Sequence, residues 1–295
     1  MKMKIYYLLS FSLVTFFHAN AQDDLLKKLE SEQKSNDKVS GAFKSSRVIN
    51  GHSIEMLGAG LFDFRILHRF GPVSQGIGDL FGLDQASMRM GFDFGITNNL
   101  TLGIGRTTYK KEIDAFIKYR FIRQEKTGMP ISLVGVIGVS VFTYKNPDPL
   151  KPLSFNDRSG YYTQLIVGRK FSEAFSLQVS PTLVYRNMID VGDSKTIYAI
   201  GIGARHKISK RVAFVVDYHL VANGLPMSVG TNPLSIGVDI ETGGHVFQLH
   251  FSNATGMNER SFITETTNSW TNGDFRFGFN LSRIFNLKKT KNKAY

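Results

Sequence analysis

The stretch GDFRFGFNLSRIF, residues 273–285, decides how the rest of the chain is read. In an extended chain, successive side chains point to opposite faces. Phe275, Phe277, Phe279, Leu281 and Phe285 then share one face, and Asp274, Arg276, Gly278, Asn280 and Ser282 share the other. One face suits hydrocarbon and the other suits water, which is the pattern of a strand in a membrane β-barrel. Lipid offers the backbone no hydrogen-bond partner, so a sheet spans it only by closing on itself. As the last strand, this segment is also the expected insertion strand, to be engaged by barrel-insertion machinery.

Working outward, the same two-residue period is found over 53–70, 86–96, 100–108, 112–123, 131–144, 160–170, 175–187, 197–207, 212–221, 234–242 and 245–253. The clearest is 86–96, where Met88, Met90, Phe92, Phe94 and Ile96 alternate with Arg89, Gly91, Asp93 and Gly95. With the last strand this makes twelve, so the expected fold is all-β, a closed antiparallel transmembrane β-barrel. Connections after even strands are mostly short, and five of the six after odd strands are long, Lys110-Lys111 being the exception. Alternation of long and short loops is the habit of an outer-membrane barrel with both termini in the periplasm. Pro181 breaks the seventh strand, and a local bulge is expected there.

The residues before the barrel carry their own signals. MKMKIYYLLSFSLVTFFHANA, residues 1–21, has two lysines, an apolar run and an A-x-A site, and reads as a secretory signal cleaved after Ala21. Residues 22–52 are polar and lack the period. They fit a periplasmic arm, an edge strand or a plug in the lumen. The barrel is expected over 53–285, followed by a basic tail, 286–295, with Lys288, Lys289, Lys291 and Lys293.

Composition bounds the partners. Lys and Arg number 36 against 24 Asp and Glu, a formal charge of +12, of which cleavage would remove Lys2 and Lys4. No zinc-finger, RRM or helix-turn-helix pattern accompanies that charge, so no nucleic acid is expected, and anionic outer-membrane lipid is the available counterpart. With no cysteine there is neither a disulfide nor a thiol for a lipid anchor. A mean hydropathy of −0.11 matches one face in lipid and one in a polar interior. Beyond the signal, the longest apolar run, 131–142, is too short for a membrane helix.

The inward face carries Arg65, Arg89, Lys118, Arg120, Arg186, Arg205 and Arg276 against Asp63, Asp93, Asp114, Asp217, Asp239 and Glu241. Two readings follow. Such charges form a constriction that selects a small polar solute, or they pair into a network that fills the lumen. His250 and Ser252 share a face, as a base and nucleophile must, but that face is turned from the lipid and no G-x-S-x-G elbow is present. The other histidines show no metal spacing, while Asp217 and His219 read as a hydrogen-bonded pair. No catalytic residue, metal or cofactor is expected. The loop 254–272 holds the only tryptophan, Trp270, which fits either a lid over the mouth or the aromatic girdle.

Several blocks resemble a family of uncharacterised β-barrel proteins from Bacteroidota, a domain of unknown function. They are LFDFRILHRFG (61–71), GFDFGITNNLTLGIGRT (91–107), GRKFSEAFSLQVSPTLVYRN (168–187) and ETGGHVFQLHFSNATGMNERSFITETTNSW (241–270). The resemblance implies a barrel with an outer-membrane address and supplies no reaction or ligand. A channel for small polar solutes is the first functional reading. A non-conducting barrel that docks envelope proteins is the second, and an outer-membrane lipid hydrolase a distant third.

Overall fold

A computed structural model describes residues 38–145, 152–223 and 230–287. The signal, residues 22–37 of the arm and the lysines of the basic tail lie outside the described residues. Twelve strands form the wall: β1 (Leu61–Pro72), β2 (Ala86–Gly95), β3 (Leu100–Thr107), β4 (Glu112–Ile122), β5 (Ser132–Phe142), β6 (Ser159–Lys170), β7 (Phe175–Arg186), β8 (Thr196–Lys207), β9 (Val212–Val221), β10 (Leu234–Thr242), β11 (His245–Ser252) and β12 (Arg276–Asn286). Each pairs antiparallel with its neighbours in sequence, and β1 pairs with β12 to close the barrel. Closure leaves no strand edge with unpaired backbone groups.

The alternation that predicted the strands is the alternation of burial. On β4, Ile113, Ile117, Tyr119 and Phe121 face outward and are 38%, 45%, 44% and 59% exposed, whereas Asp114, Lys118 and Arg120 are buried inside. A soluble barrel would reverse this order, so the exposed apolar belt is the side that meets hydrocarbon. Phe277, Phe279, Leu281 and Phe285 of β12 lie on this outer face, and Phe275 precedes the strand by one residue. Phenylalanine rings of β1, β2 and β12 pack together on the outer face beside the closing seam, with Phe62 near Phe94 (4.9 Å) and Phe285 (5.9 Å).

Two expectations need correction. The barrel was expected from residue 53, but β1 starts at Leu61. Ile54, Glu55 and Met56 do alternate, yet the Ile54 amide donates to the side chain of Gln178 and not to a strand. Pro181 makes no bulge: β6 and β7 keep one register from Gln164↔Thr182 to Val167↔Val179 and skip only the intervening pairs, while β7 and β8 pair through Pro181↔Ile200. The missing proline N–H therefore weakens one ladder locally without shifting it. The other strand boundaries move by three residues or fewer.

Where the chain enters the wall, the segment before β1 crosses Gly95. A Cβ there would stand 2.0 Å from the carbonyl oxygen of Gly58. Because that obstacle is backbone, Gly95→Ala is expected to destabilise the barrel by about 1–3 kcal/mol. Thermal unfolding in detergent, followed by the mobility change of heated barrel on a gel, measures it.

Candidate functional site

The lumen is occupied from both ends. From the short-turn end, residues 39–60 run inside the wall and fold back on themselves, with an isolated bridge between Arg47 and His52 and Val48 N–H donating to Gly51 O at 2.8 Å. From the long-loop end, the β11–β12 loop descends into the barrel and forms a short helix, α1 (Glu259–Thr264), all of whose residues are buried. Of the three placements compatible with the sequence, the described part of the arm, residues 39–52, thus takes that of a plug. The 254–272 loop enters the mouth instead of covering it, while Trp270 stays at the rim, stacked on Phe275 at 4.8 Å.

Wall side chains hold the plug by its backbone. Asp217 Oδ2 accepts from the amides of Ile49, Asn50 and Gly51 (3.3, 2.7 and 2.9 Å), and its other oxygen meets His219 Nε2 at 2.9 Å. Gln178 accepts from Ile54 N–H at 3.0 Å and donates to His52 O at 2.7 Å. Lys118 Nζ donates to Ser46 O (3.1 Å) and Glu55 O (2.6 Å), and Asn280 Nδ2 donates to Ile49 O at 3.0 Å. A tight reversal leaves amides and carbonyls without strand partners, and these side chains satisfy them. Ala42, Phe43, Val48 and Ile54 pack with inward Phe116, Val134, Val136 and Tyr162 to form an apolar core in the middle of the polar interior.

The loop insert is held at one point. Glu112, wholly buried at the start of β4, accepts from Asn258 Nδ2 (2.9 Å), Ser261 Oγ (3.0 Å) and Arg260 Nε and Nη2 (2.6 and 3.1 Å). Burial alone would lower the Arg260 pKa, but the carboxylates of Glu112 and Glu265 reverse that and raise it. The two inserts meet at the barrel centre. There Arg47 Nη1 donates to Glu259 Oε1 at 2.9 Å, with both side chains buried. Burial and the nearby cations, Arg47 first, push His52 well below the usual histidine pKa. Its ring is therefore neutral, and Arg47 supplies the charge opposite Glu259.

The inward charges expected from the sequence are on the lumen side; Arg186 lines an open space at the long-loop end, and the others lie against the inserts, the turns or one another. Arg65 pairs with Asp63 at 2.5 Å and lies 3.9 Å from Asp93, and Arg89 pairs with Asp114 at 2.5 Å. Asp239 accepts from Gln248 at 2.6 Å. Arg205 is buried near the same end, while Glu241 lies at the mouth and pairs with Lys44 of the plug. Arg120 caps Asn98 O at 2.6 Å; Arg186 and Arg276 sit toward the long-loop end, on Ser194 O (2.9 Å) and Phe70 O (3.2 Å). Pairing among these charges accounts for only some of their contacts: Lys118, Asp217 and Glu241 bind the plug, and Arg65 and Asp93 also bond Ser46 Oγ at 2.8 and 3.4 Å. His250 and Ser252 do face inward, but Ser252 Oγ is bonded to Ser235 Oγ at 2.7 Å, and the His250 ring nitrogens meet no protein partner.

Sequence reasoning missed Arg69, Glu112 and the insert residues Arg47, Asn50, Glu259 and Arg260. Arg69, fully buried, bonds Asn50 Oδ1 (2.7 Å) and Asn280 Oδ1 (2.9 Å). Its place on the inward face of β1 was a usable signal. Nothing in residues 39–60 marks which distant strands they touch.

Among the described residues, some space remains inside and more at the long-loop end. Interior gaps of about 10 Å³ each lie beside Arg47, Arg65 and Gln248 and beside Ile54, Arg120 and Gln124. At the long-loop end a vestibule of about 560 Å³ lies between Tyr109, Phe142, Tyr144, Arg186 and Asp190, with Thr264 and Glu265 of the descending loop in its lining. Among the described residues no cluster of His, Asp or Glu has a metal-binding arrangement.

Among solved structures, the backbone is similar to the NanC porin, at 9% identity over 76% of this chain and 98% of that one, with a TM-score of 0.48. It is also similar to the KdgM porin, at 8% identity over 76% and 99% of the two chains, with a TM-score of 0.46. A third is the translocator domain of the autotransporter NalP from Neisseria meningitidis, at 13% identity over 90% and 95%, with a TM-score of 0.38. No curated protein matches the sequence. The family described as "Membrane bound beta barrel domain (DUF5777)" matches residues 43–285, which takes in most of the plug as well as the wall, and the chain belongs to that family.

Proposed function

We propose that this protein is a gated outer-membrane pore for small polar solutes, shut in the state described here by its own plug and descending loop. The observation that carries the reading is the kind of contact holding the plug. Its tip is fixed by hydrogen bonds and ion pairs to polar wall residues, groups that water satisfies equally well when the segment leaves. A barrel meant to stay dry is better filled with apolar side chains, because buried ion pairs return little net stability. Several buried donors, Nε of Arg65, Arg69, Arg205 and Arg276 among them, have no protein partner, which also suits a lumen that admits water. In this reading the vestibule receives the solute, both termini lie in the periplasm, and β12 is the strand by which insertion machinery places the barrel. The Bacteroidota source implied by the sequence resemblance agrees with an outer membrane.

A second reading is favoured by how little space the lumen retains: a permanently closed barrel that docks envelope proteins through its long loops. Currents in planar bilayers separate the two. The gated pore is expected to show long silent intervals broken by stepwise openings, with an ion selectivity that shifts in Arg186→Gln or Arg120→Gln. Silence of the wild type and of plug-released variants at every voltage favours the docking barrel.

A further inference from the structure

The turns joining β4 to β5, β6 to β7 and β8 to β9 lie side by side along one arc of the short-turn rim. This arc carries Lys126, Arg169, Lys170, Lys207, Lys210 and Arg211, opposed by Glu125 and by Glu173, which is already paired with Lys170 at 2.8 Å. Two other turns at this end, Thr97-Asn98-Asn99 and Gly243-Gly244, carry no charge. The three turns of this sector therefore form a positive cluster, while Arg283, exposed near the end of β12, is a separate cation at the same end. Lys126, Arg169, Lys210 and Arg211 are exposed.

In the same sector, on the outer face, stand aromatic rings at the level where wall meets turn. Phe121, Phe171 and Phe175 are 59%, 55% and 37% exposed, and the rings of Phe171 and Phe175 lie 5.9 Å apart. The guanidinium of Arg169 sits 5.2 Å from the Phe171 ring centre. Above them the wall presents Ile117, Ile137, Leu165, Ile200 and Ile202 to hydrocarbon. Aromatic rings at the end of an apolar belt mark the headgroup level, and cations just beyond them are placed to meet phosphate.

We propose that this arc binds the headgroups of anionic phospholipid in the leaflet at the short-turn end. Charge complementarity selects the headgroup, and continuity with the lipid-facing wall selects a lipid over a soluble anion. The inference needs only that the chain is a membrane barrel and is independent of gating.

Full-length protein in detergent, given equal amounts of phosphatidylglycerol and phosphatidylcholine and analysed by native mass spectrometry, tests it. The wild type is expected to retain phosphatidylglycerol about tenfold over phosphatidylcholine. Arg169→Gln/Lys210→Gln/Arg211→Gln is expected to bring the ratio near one, while Lys111→Gln/Lys145→Gln/Lys195→Gln at the opposite end leaves it unchanged. All these side chains are exposed, and the heat-dependent gel shift confirms that each variant keeps its barrel. Equal retention of the two lipids by the wild type, or a preference that survives the first triple variant, overturns the proposal. So does equal displacement of the bound lipid by inorganic phosphate at matched concentration, which would reveal a site for any soluble anion.

Discussion

Asp217→Ala is expected to release the tip of the plug and to expose the chain at Arg47 to trypsin, while the barrel stays folded. The carboxylate is buried and accepts from three consecutive backbone amides of the plug as well as from His219. Alanine leaves all four donors without an acceptor. Removing one member of such a buried charged cluster costs about 3–5 kcal/mol, and each stranded amide adds a desolvation penalty unless it reaches water. The amides reach water most readily if the tip withdraws, because Ile49, Asn50 and Gly51 lie at the turn of a reversal that is not part of the wall. Asp217→Asn keeps an oxygen in place without its charge and should release less. The measurement is limited proteolysis of the detergent-solubilised protein, read beside the heat-dependent gel shift. Resistance at Arg47 equal to that of the wild type would show that the other wall contacts suffice.

The second large effect is expected from Glu112→Ala. This side chain is wholly buried and gathers Asn258, Arg260 and Ser261, so its loss leaves the Arg260 guanidinium with Glu265 as its remaining carboxylate partner. Arg260 also lies 4.2 Å from the Phe142 ring centre, a cation–π contact that alone does not hold a buried charge. A cost of about 3–5 kcal/mol is expected, met by withdrawal of α1 into the vestibule. Hydrogen exchange over residues 258–266 should accelerate strongly, while the amides of β4 and β11 remain protected. Glu112→Gln, which keeps one acceptor oxygen, is expected to fall between. Unchanged exchange in the alanine variant would mean that apolar packing of Phe262 and Ile263 in the core, not Glu112, keeps the loop down.

These two effects concern the part of the molecule that sequence reading resolved least. The wall was legible because lipid outside and polar groups inside impose a two-residue period on every strand. Met88, Met90, Phe92 and Phe94 against Arg89, Gly91, Asp93 and Gly95 leave no other arrangement. The inserts obey no period. Residues 39–60 make their bonds to side chains on β1, β2, β4, β6, β7, β9, β10, β11 and β12, and no local pattern records partners so far along the chain. The misplaced start of β1 has the same origin: Ile54 and Met56 alternate with Glu55 like a strand, but their neighbours are the plug's own core. Inward charges such as Asp217 and Lys118 could be placed on the lumen face, yet not assigned to an occupant that the sequence does not reveal.

A plug that gates by moving can be locked in place, because the chain has no cysteine of its own. A Cβ on Gly203 of β8 would stand 2.8 Å from Val48 Cγ2 of the plug, so side chains at these two positions meet. Val48→Cys/Gly203→Cys in planar bilayers is predicted to be silent when oxidised and to regain stepwise openings on reduction. Equal currents in the two redox states, or silence in both beside a conducting wild type refolded in parallel, would contradict a plug that gates the pore by moving.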